Sequence, residues 1–386
     1  MTTDERVEGL ADLLVSTGRL TDPRWRDGLR AVPRHLFAPG RGWAVPDRPV
    51  YEGFPIDRRS DPAAWWEAVY TDTAIAIQLD DGASDPQSGT GVWTSSCSAP
   101  GIVVIFLQEL RPLDHHRVLE VGTGTGWTSG LLTWRLGPGA VTSVEIDEAL
   151  SAGAAGNLKN AGLSPLLVVG DGAEGYAAGA PYDRVHVTCG VERIPYAWVE
   201  QSRPGGVIVL PWSPGWGIGH LAHLTVTGDG RALGRLTGPA GFMMLRSQRR
   251  RFGGPERAAE QRGKAVRSAA HLDPRSVIAE SPGAEVAIAA LVPGVRSHLE
   301  AAPDGSLRVW AIEDTGDDPA WACATFEPGR VDHAVYQYGA RRLWDEVEAA
   351  YLRWVAWGSP DRARFGLTVT PGNQSVWLDR PDRLVA

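Results

Sequence analysis

The chain is short of cysteine and lysine, and it has no long apolar run. Its cysteines are Cys97, Cys189 and Cys323, without a CxxC pair. An odd, widely spaced set builds neither a disulfide framework nor a zinc site. His220 and His223 add no metal centre, because strand alternation would turn them to opposite faces and no third ligand is near. Lysine is scarce beside arginine and the formal net charge is -8, with no long basic run, which disfavours a nonspecific grip on nucleic acid. No apolar stretch approaches membrane-spanning length. The opening Met1-Thr2-Thr3-Asp4-Glu5-Arg6 is polar and acidic, unlike a signal peptide. The expectation from these absences is a soluble, cytoplasmic monomer with no metal, nucleic-acid or membrane partner. What the chain does have is 386 residues of ordinary globular composition, 43% hydrophobic, enough for one large domain and a smaller one.

The organising stretch is Arg117-Val118-Leu119-Glu120-Val121-Gly122-Thr123-Gly124-Thr125-Gly126-Trp127. It reads as an apolar strand running into a glycine turn, which opens a helix over Trp127 to Leu136. Glycine tolerates positive φ and lets a ligand approach the backbone closely, and the amides at the following helix start favour polar or anionic groups. The Gly-x-Gly-x-Gly spacing, preceded by Glu120, differs from the Gly-x-Gly-x-x-Gly of dinucleotide enzymes. It points instead to the S-adenosylmethionine loop of a class I methyltransferase, a Rossmann-like doubly wound α/β sheet. The next strand, Ala140 to Glu145, ends in an acid about 20 residues past the loop, where such a sheet presents a carboxylate to ribose hydroxyls. A helix N-terminal acid before Ile146-Asp147-Glu148 is the plainer role for Glu145. On the cofactor side the expected residues are Glu120, Gly122, Thr123, Gly124 and Gly126 around methionine and sugar, Glu145 at the ribose, Asp171 and Gly172 at the adenine, and Thr188 at the crevice. His186, inside its strand, reads as a satisfied core histidine.

Taken in order, residues 1–60 read as an N-terminal helical segment. Residues 61–245 read as the methyltransferase domain, with an insertion near 78–93, and 246–271 as a polar, basic linker carrying Arg249-Arg250-Arg251. Residues 272–386 read as an accessory α/β domain. Within it Leu343, Val347, Ala350 and Trp354 share one side of a helix. The insertion, with Leu79-Asp80-Asp81-Gly82-Ala83-Ser84-Asp85-Pro86, has the composition of a mobile loop.

Several motifs together resemble the protein L-isoaspartate O-methyltransferases. Val32-Pro33-Arg34-His35-Leu36-Phe37 resembles that family's Val-Pro-Arg-His-x-Phe, and Val69-Tyr70-Thr71-Asp72 its Ala-Tyr-x-Asp. Ser95-Ser96-Cys97-Ser98-Ala99-Pro100 sits where the family has Gln-Thr-Ile-Ser-Gln-Pro. Further matches follow at Val168 to Gly172, Ala180 to Val185, Arg193-Ile194-Pro195 and Arg203 to Pro211. The resemblance covers roughly Val7 to Pro211. It implies a carboxyl O-methyltransferase that uses S-adenosylmethionine and releases S-adenosylhomocysteine. It also implies that Ser98, at the family's serine, orients the substrate carboxylate, with Ser96 at the threonine position. The plainer role for both serines is capping the helix that starts near Pro100. Methyltransferases with an extension ending in Gly-Leu-Thr-Val-Thr-Pro and Val-Trp-Leu-Asp, as at Gly366 to Pro371 and Val376 to Asp379, resemble this chain more fully. They accompany ribosomal peptides (lanthipeptides, graspetides or lasso peptides) and esterify an ordinary Asp in a macrocyclic modified precursor, and the ester closes to an aspartimide. That likeness implies peptide tailoring rather than repair of damaged proteins, which is the alternative. A methyltransferase fold degraded to a binding module is a third reading, disfavoured by the intact loop.

Methyl transfer needs no triad or metal. A carboxylate is already charged near neutral pH, so the enzyme has to align oxygen, carbon and sulfur and exclude water.

Overall fold

The computed structural model describes residues 1–47, 53–249, 255, 260–278, 281–313, 316 and 318–385. The chain divides into two compact units. The first comprises Met1–Cys189, Ala197–Leu210 and Thr225–Asp229; the second comprises Gly190–Tyr196, Pro211–Leu224 and Gly230–Ala386. No helix among the described residues is long and apolar enough to cross a membrane.

The first unit opens with α1 (Thr3–Ser16) and α2 (Pro23–Ala31). Thr2 and Glu5 close a reciprocal capping box on α1, and its buried stripe is Val7, Leu10, Ala11 and Leu14. Asp22 caps α2 with Pro23 at the first turn. The segment read as helical then turns to sheet: β1 (Arg41–Pro46) and β2 (Phe54–Asp57) precede α3 (Pro62–Val69), β3 (Thr73–Leu79) and β4 (Trp93–Cys97). These strands form an antiparallel sheet in the order β2-β1-β3-β4. The alternation in β1 is only a few residues long and ends in proline, which is why periodicity alone passed over it.

The insertion after β3 is tied by side-chain hydrogen bonds at both ends. Asp80 holds it across its base, its carboxylate accepting from the Val92 amide at 2.8 Å and from the Ser84 hydroxyl at 2.6 Å. Gln87 anchors the far side, accepting from the Arg41 guanidinium at 2.6 Å and donating to the Ile56 carbonyl at 3.0 Å. Small polar residues wrote the loop's turns, and their side chains then used the turns' backbone groups.

After α4 (Pro100–Leu110) comes the parallel layer: β5 (Val118–Val121), α5 (Trp127–Leu136), β6 (Val141–Glu145), α6 (Glu148–Asn160), β7 (Leu166–Val169), β8 (Tyr182–Val187) and β9 (Ser202–Trp212). The order is β7-β6-β5-β8-β9. The chain therefore steps from β5 outward to β7, then returns to the other side of β5. The gap between the C-terminal ends of β5 and β8 is the topological switch point, where open α/β sheets bind ligands.

The second unit holds most of β10 (His220–Val226) and β11 (Ala232–Pro239). It continues into a five-stranded antiparallel sheet of β12 (Val266–Ala269), β13 (Val295–Ala301), β14 (Leu307–Glu313), β15 (Trp321–Phe326) and β16 (Ala334–Tyr338), ordered β12-β16-β15-β14-β13. The last strands, β17 (Phe365–Thr370) and β18 (Asn373–Leu378), pair antiparallel with each other, and β17 with β11. Helix Leu343–Ala356 buries Leu343, Val347, Ala350 and Trp354, the side the spacing predicts. Met244 makes a single bridge to Gly190. One reading changes. The stretch 246–271 contains β12 rather than being linker throughout; Arg250 and Arg251 of its basic triplet lie outside the described residues.

Candidate functional site

The switch point is built by backbone geometry first. Gly122 leaves β5 at φ +92°, where a Cβ would stand 2.4 Å from the Thr188 hydroxyl. That hydroxyl, just beyond β8, reaches the Gly122 carbonyl at 2.6 Å and the Val121 carbonyl at 3.0 Å. Thr188 thus clamps the glycine turn instead of standing free in the crevice. Gly124 (φ +54°) and Gly126 (φ +86°) complete the turn. Gly126 serves packing, since a Cβ there would press on Ala154 and Leu158 of α6 at 3.2 Å.

Glu145 ends β6 beside this turn. One carboxylate oxygen accepts from the Gly124 amide at 2.9 Å, the other from the Asp147 amide at 3.1 Å. A carboxylate has about four acceptor positions, so ribose hydroxyls have room on it. Asp171 follows β7 and uses one oxygen to cap a short helical turn, accepting from the Ala173 amide at 2.9 Å. Its other oxygen has no protein partner among the described residues, which leaves it open to adenine. Gly172 is buried, and its carbonyl accepts from the Trp198 indole at 2.8 Å, so its part is to seat the turn. The open glycine cradle, the half-used Glu145 and the half-used Asp171 fit the amino-acid, ribose and adenine parts of S-adenosylmethionine.

Two expected cofactor contacts are displaced. Glu120 is fully buried and takes hydrogen bonds from Ser129 and, at 2.6 Å, from Ser143. Thr123 turns down into the same network, its hydroxyl 2.6 Å from that of Ser143. Both act beneath the glycine turn. The strand-end acid looked like a ligand because sequence shows its place before the turn but not the face it takes. His186 is buried, but neither ring nitrogen has a hydrogen-bond partner among the described residues, and its Nδ1 lies 4.0 Å from Glu120 Oε1. Burial keeps the imidazole neutral, pushing its pKa down to about 3.

Burial also dominates at Glu120, pushing its pKa up to about 7 against the lowering effect of the two serine donors. The folded state then binds a proton over a range where the unfolded chain, near 4.5, has released it. Stability from this group is therefore greatest below 4.5 and is lost as pH rises toward 7. Thermal unfolding of the wild type should fall relative to Glu120→Gln between about pH 5 and about pH 8. Parallel curves for the two proteins would contradict this.

The substrate side is β4 and the start of α4. A Cβ on Gly124 would lie 3.5 Å from the Ser96 carbonyl and 3.7 Å from the Ser95 hydroxyl, so this strand runs directly against the glycine turn. The Ser96 and Ser98 side chains are half-buried and have no protein hydrogen-bond partner among the described residues. Neither caps α4. That cap comes from Asp72, far back in the chain, whose carboxylate accepts from the Gly101 amide at 2.8 Å and from Arg19 at 2.5 Å. The serine hydroxyls are left open for a ligand.

Arg34 fixes this strand in place. It is 1% exposed, and its guanidinium donates to the carbonyls of Ala68, Val69, Thr73, Cys97 and Ser98, at 2.7 to 3.3 Å. The ring of Trp127, which follows the glycine turn, lies 5.4 Å away. The motif placed Arg34 in the chain, but no local signal gave its five partners.

A family model described as Protein-L-isoaspartate(D-aspartate) O-methyltransferase matches residues 47–217. The protein-L-isoaspartate O-methyltransferase of Methanopyrus kandleri is 32% identical over 62% of this chain and 90% of its own length. That of Ignicoccus hospitalis is 36% identical over 63% of this chain and 98% of its own. A solved protein-L-isoaspartate O-methyltransferase aligns with 97% of this chain and 100% of its own, at 20% identity and a TM-score of 0.53. That likeness is one of fold, and it extends past the methyltransferase core.

Proposed function

The chain belongs to the protein-L-isoaspartate O-methyltransferase family, and on that premise we propose that it esterifies the free carboxylate of isoaspartyl residues in peptides or proteins. The relatives are S-adenosylmethionine-dependent carboxyl O-methyltransferases, and this chain is an enzyme of that class. The observation that carries the substrate reading is the Ser96–Ser98 strand, with unused hydroxyls, lying against the Gly124 turn.

When bound, S-adenosylmethionine supplies an electrophilic methyl on a sulfonium. The protein's part is positional. The glycine turn and Glu145 fix one reactant, while Ser98 donates a hydrogen bond that orients the carboxylate oxygen, and Arg34 holds the Ser98 backbone. No base is required, because the nucleophile is already ionised, and the gain comes from alignment and exclusion of water. Ser98→Ala should raise KM for an isoaspartyl peptide about tenfold, the worth of one hydrogen bond to a charged group. KM for the methyl donor should stay within about twofold of wild type by the same reasoning. An unchanged peptide KM would remove Ser98 from substrate binding.

A narrower reading keeps the chemistry and changes the substrate to an ordinary Asp in a macrocyclic ribosomal precursor peptide, with aspartimide formation after esterification. It is supported by Ala99, where the family has glutamine, and by the acidic loop that continues into β4. The extension alone does not favour it, because the fold likeness of the solved isoaspartate enzyme covers 97% of the chain. Kinetics on peptides that differ only in Asp against isoAsp decide between them. Preference for isoAsp supports the repair substrate; esterification of Asp alone, in a constrained peptide, supports the other.

A further inference from the structure

The inserted loop is joined to the carboxylate at the ribose position through one side chain. We propose that Gln78 is a positioning residue that couples cofactor binding to the order of loop 79–93. This rests on the reading of Glu145 as the ribose ligand.

Gln78 sits on an irregularity of β3. The register runs from Ala76 opposite Ser96 to Gln78 opposite Ser95, then to Leu79 opposite Trp93. Bulges of this kind re-aim a side chain and recur beside active sites. Here the amide bridges two layers of the first unit. Its Nε2 donates to Asp147 Oδ2 at 3.0 Å, and its Oε1 accepts from the Thr94 hydroxyl at 2.9 Å. The carboxylate can only accept, so it fixes which end of the amide faces it, and Thr94 must then donate. The Thr94 oxygen in turn accepts from the Asp81 amide at 3.2 Å, inside the loop.

At the other end Asp147 divides its work. Oδ1 caps α6, accepting from the Ala149 and Leu150 amides at 3.0 and 3.1 Å, which leaves Oδ2 for Gln78. The Asp147 amide donates to Glu145, which also receives the Gly124 amide. An unbroken line of directional bonds therefore runs from Gly124 through Glu145, Asp147, Gln78 and Thr94 to Asp81. A ligand that settles Glu145 settles Asp147 and, through Gln78, the loop bordering the substrate strand. By linkage, a peptide that orders the loop tightens the cofactor by the same factor.

The test is hydrogen–deuterium exchange of the full chain with and without S-adenosylhomocysteine. In wild type the ligand should slow exchange both at 122–126 and in 79–93, the latter by about fivefold, at the low end of ordinary coupling. Gln78→Leu should keep the slowing at 122–126 and lose it in 79–93. Thr94→Val retains side-chain shape and cuts the next link, so it should give the same pattern should the leucine variant disturb the bulge. A wild-type loop indifferent to the ligand overturns the proposal, as does slowing of the loop in both variants equal to wild type. Absence of slowing at 122–126 in wild type would show that the cofactor reading itself fails, and the coupling with it. Methylation of the isoaspartyl peptide is scored separately and speaks only to the substrate.

Discussion

Arg34→Met is expected to destabilise the first unit by about 3–5 kcal/mol, the cost of breaking a buried charged network. The guanidinium is the shared donor for five carbonyls, drawn from α3, the start of β3 and the junction of β4 with α4. Methionine fills much of the volume and satisfies none of them, and each orphaned acceptor costs about 1–3 kcal/mol before relaxation. Among the described residues no carboxylate forms an ion pair with the cation. Carbonyl dipoles and the Trp127 ring face stabilise it instead. Arg34→Lys should fall between, because an ammonium has three donors and no planar fork. Activity should drop further than stability in the variants that still fold, since two of the lost bonds fix Cys97 and Ser98. Denaturant unfolding followed by turnover at saturating substrates measures both. A loss below about 1 kcal/mol would mean the carbonyls find other donors.

Gly122→Ala should weaken S-adenosylhomocysteine binding about 100-fold, from roughly 1–2 kcal/mol of left-handed backbone strain plus a clash of similar size. The clash is specific, as the added carbon meets the Thr188 hydroxyl at 2.4 Å while the Thr188 Cβ stays at 3.8 Å. Removing that hydroxyl should therefore relieve the clash and leave only the strain. The double variant Gly122→Ala, Thr188→Ala is expected to bind about tenfold tighter than Gly122→Ala alone, a non-additivity ordinary for residues in contact. Calorimetric titration of the three proteins reads this directly. A double variant no tighter than the single would show that the clash with the Thr188 hydroxyl is not what weakens binding.

The methyltransferase core was legible because its signals are local. The glycine turn between strand and helix, the acid ending the next strand and the Gly-Asp-Gly after β7 are each a short run with one geometric meaning. Ser98 could be placed in the chain by motif, but its freedom could not. Capping α4 stood beside substrate contact as its plainer role, and only the fold shows that the Gly101 amide is met instead by Asp72, 29 positions away. Glu120 was misassigned for a related reason. A strand residue's face depends on the sheet's neighbours, and β5 is covered on both sides, so the acid before the turn points into the core. The loop after β3 was read from composition as mobile; composition does not show that Asp and Ser side chains also tie turns, as Asp80 does here. Gln78 gave no sequence signal at all. Its role arises from a register shift, which depends on β4.

The proposed reaction needs one arrangement, a methyl donor at the β5–β8 switch point facing a carboxylate on the Ser98 strand. The direct measurement is incubation with methyl-labelled S-adenosylmethionine and an isoaspartyl peptide, followed by mild base. The expected result is label on the peptide that base releases as methanol, the behaviour of a carboxyl ester. Base-stable label, or tight cofactor binding with no transfer to isoaspartyl or aspartyl peptides, would contradict it.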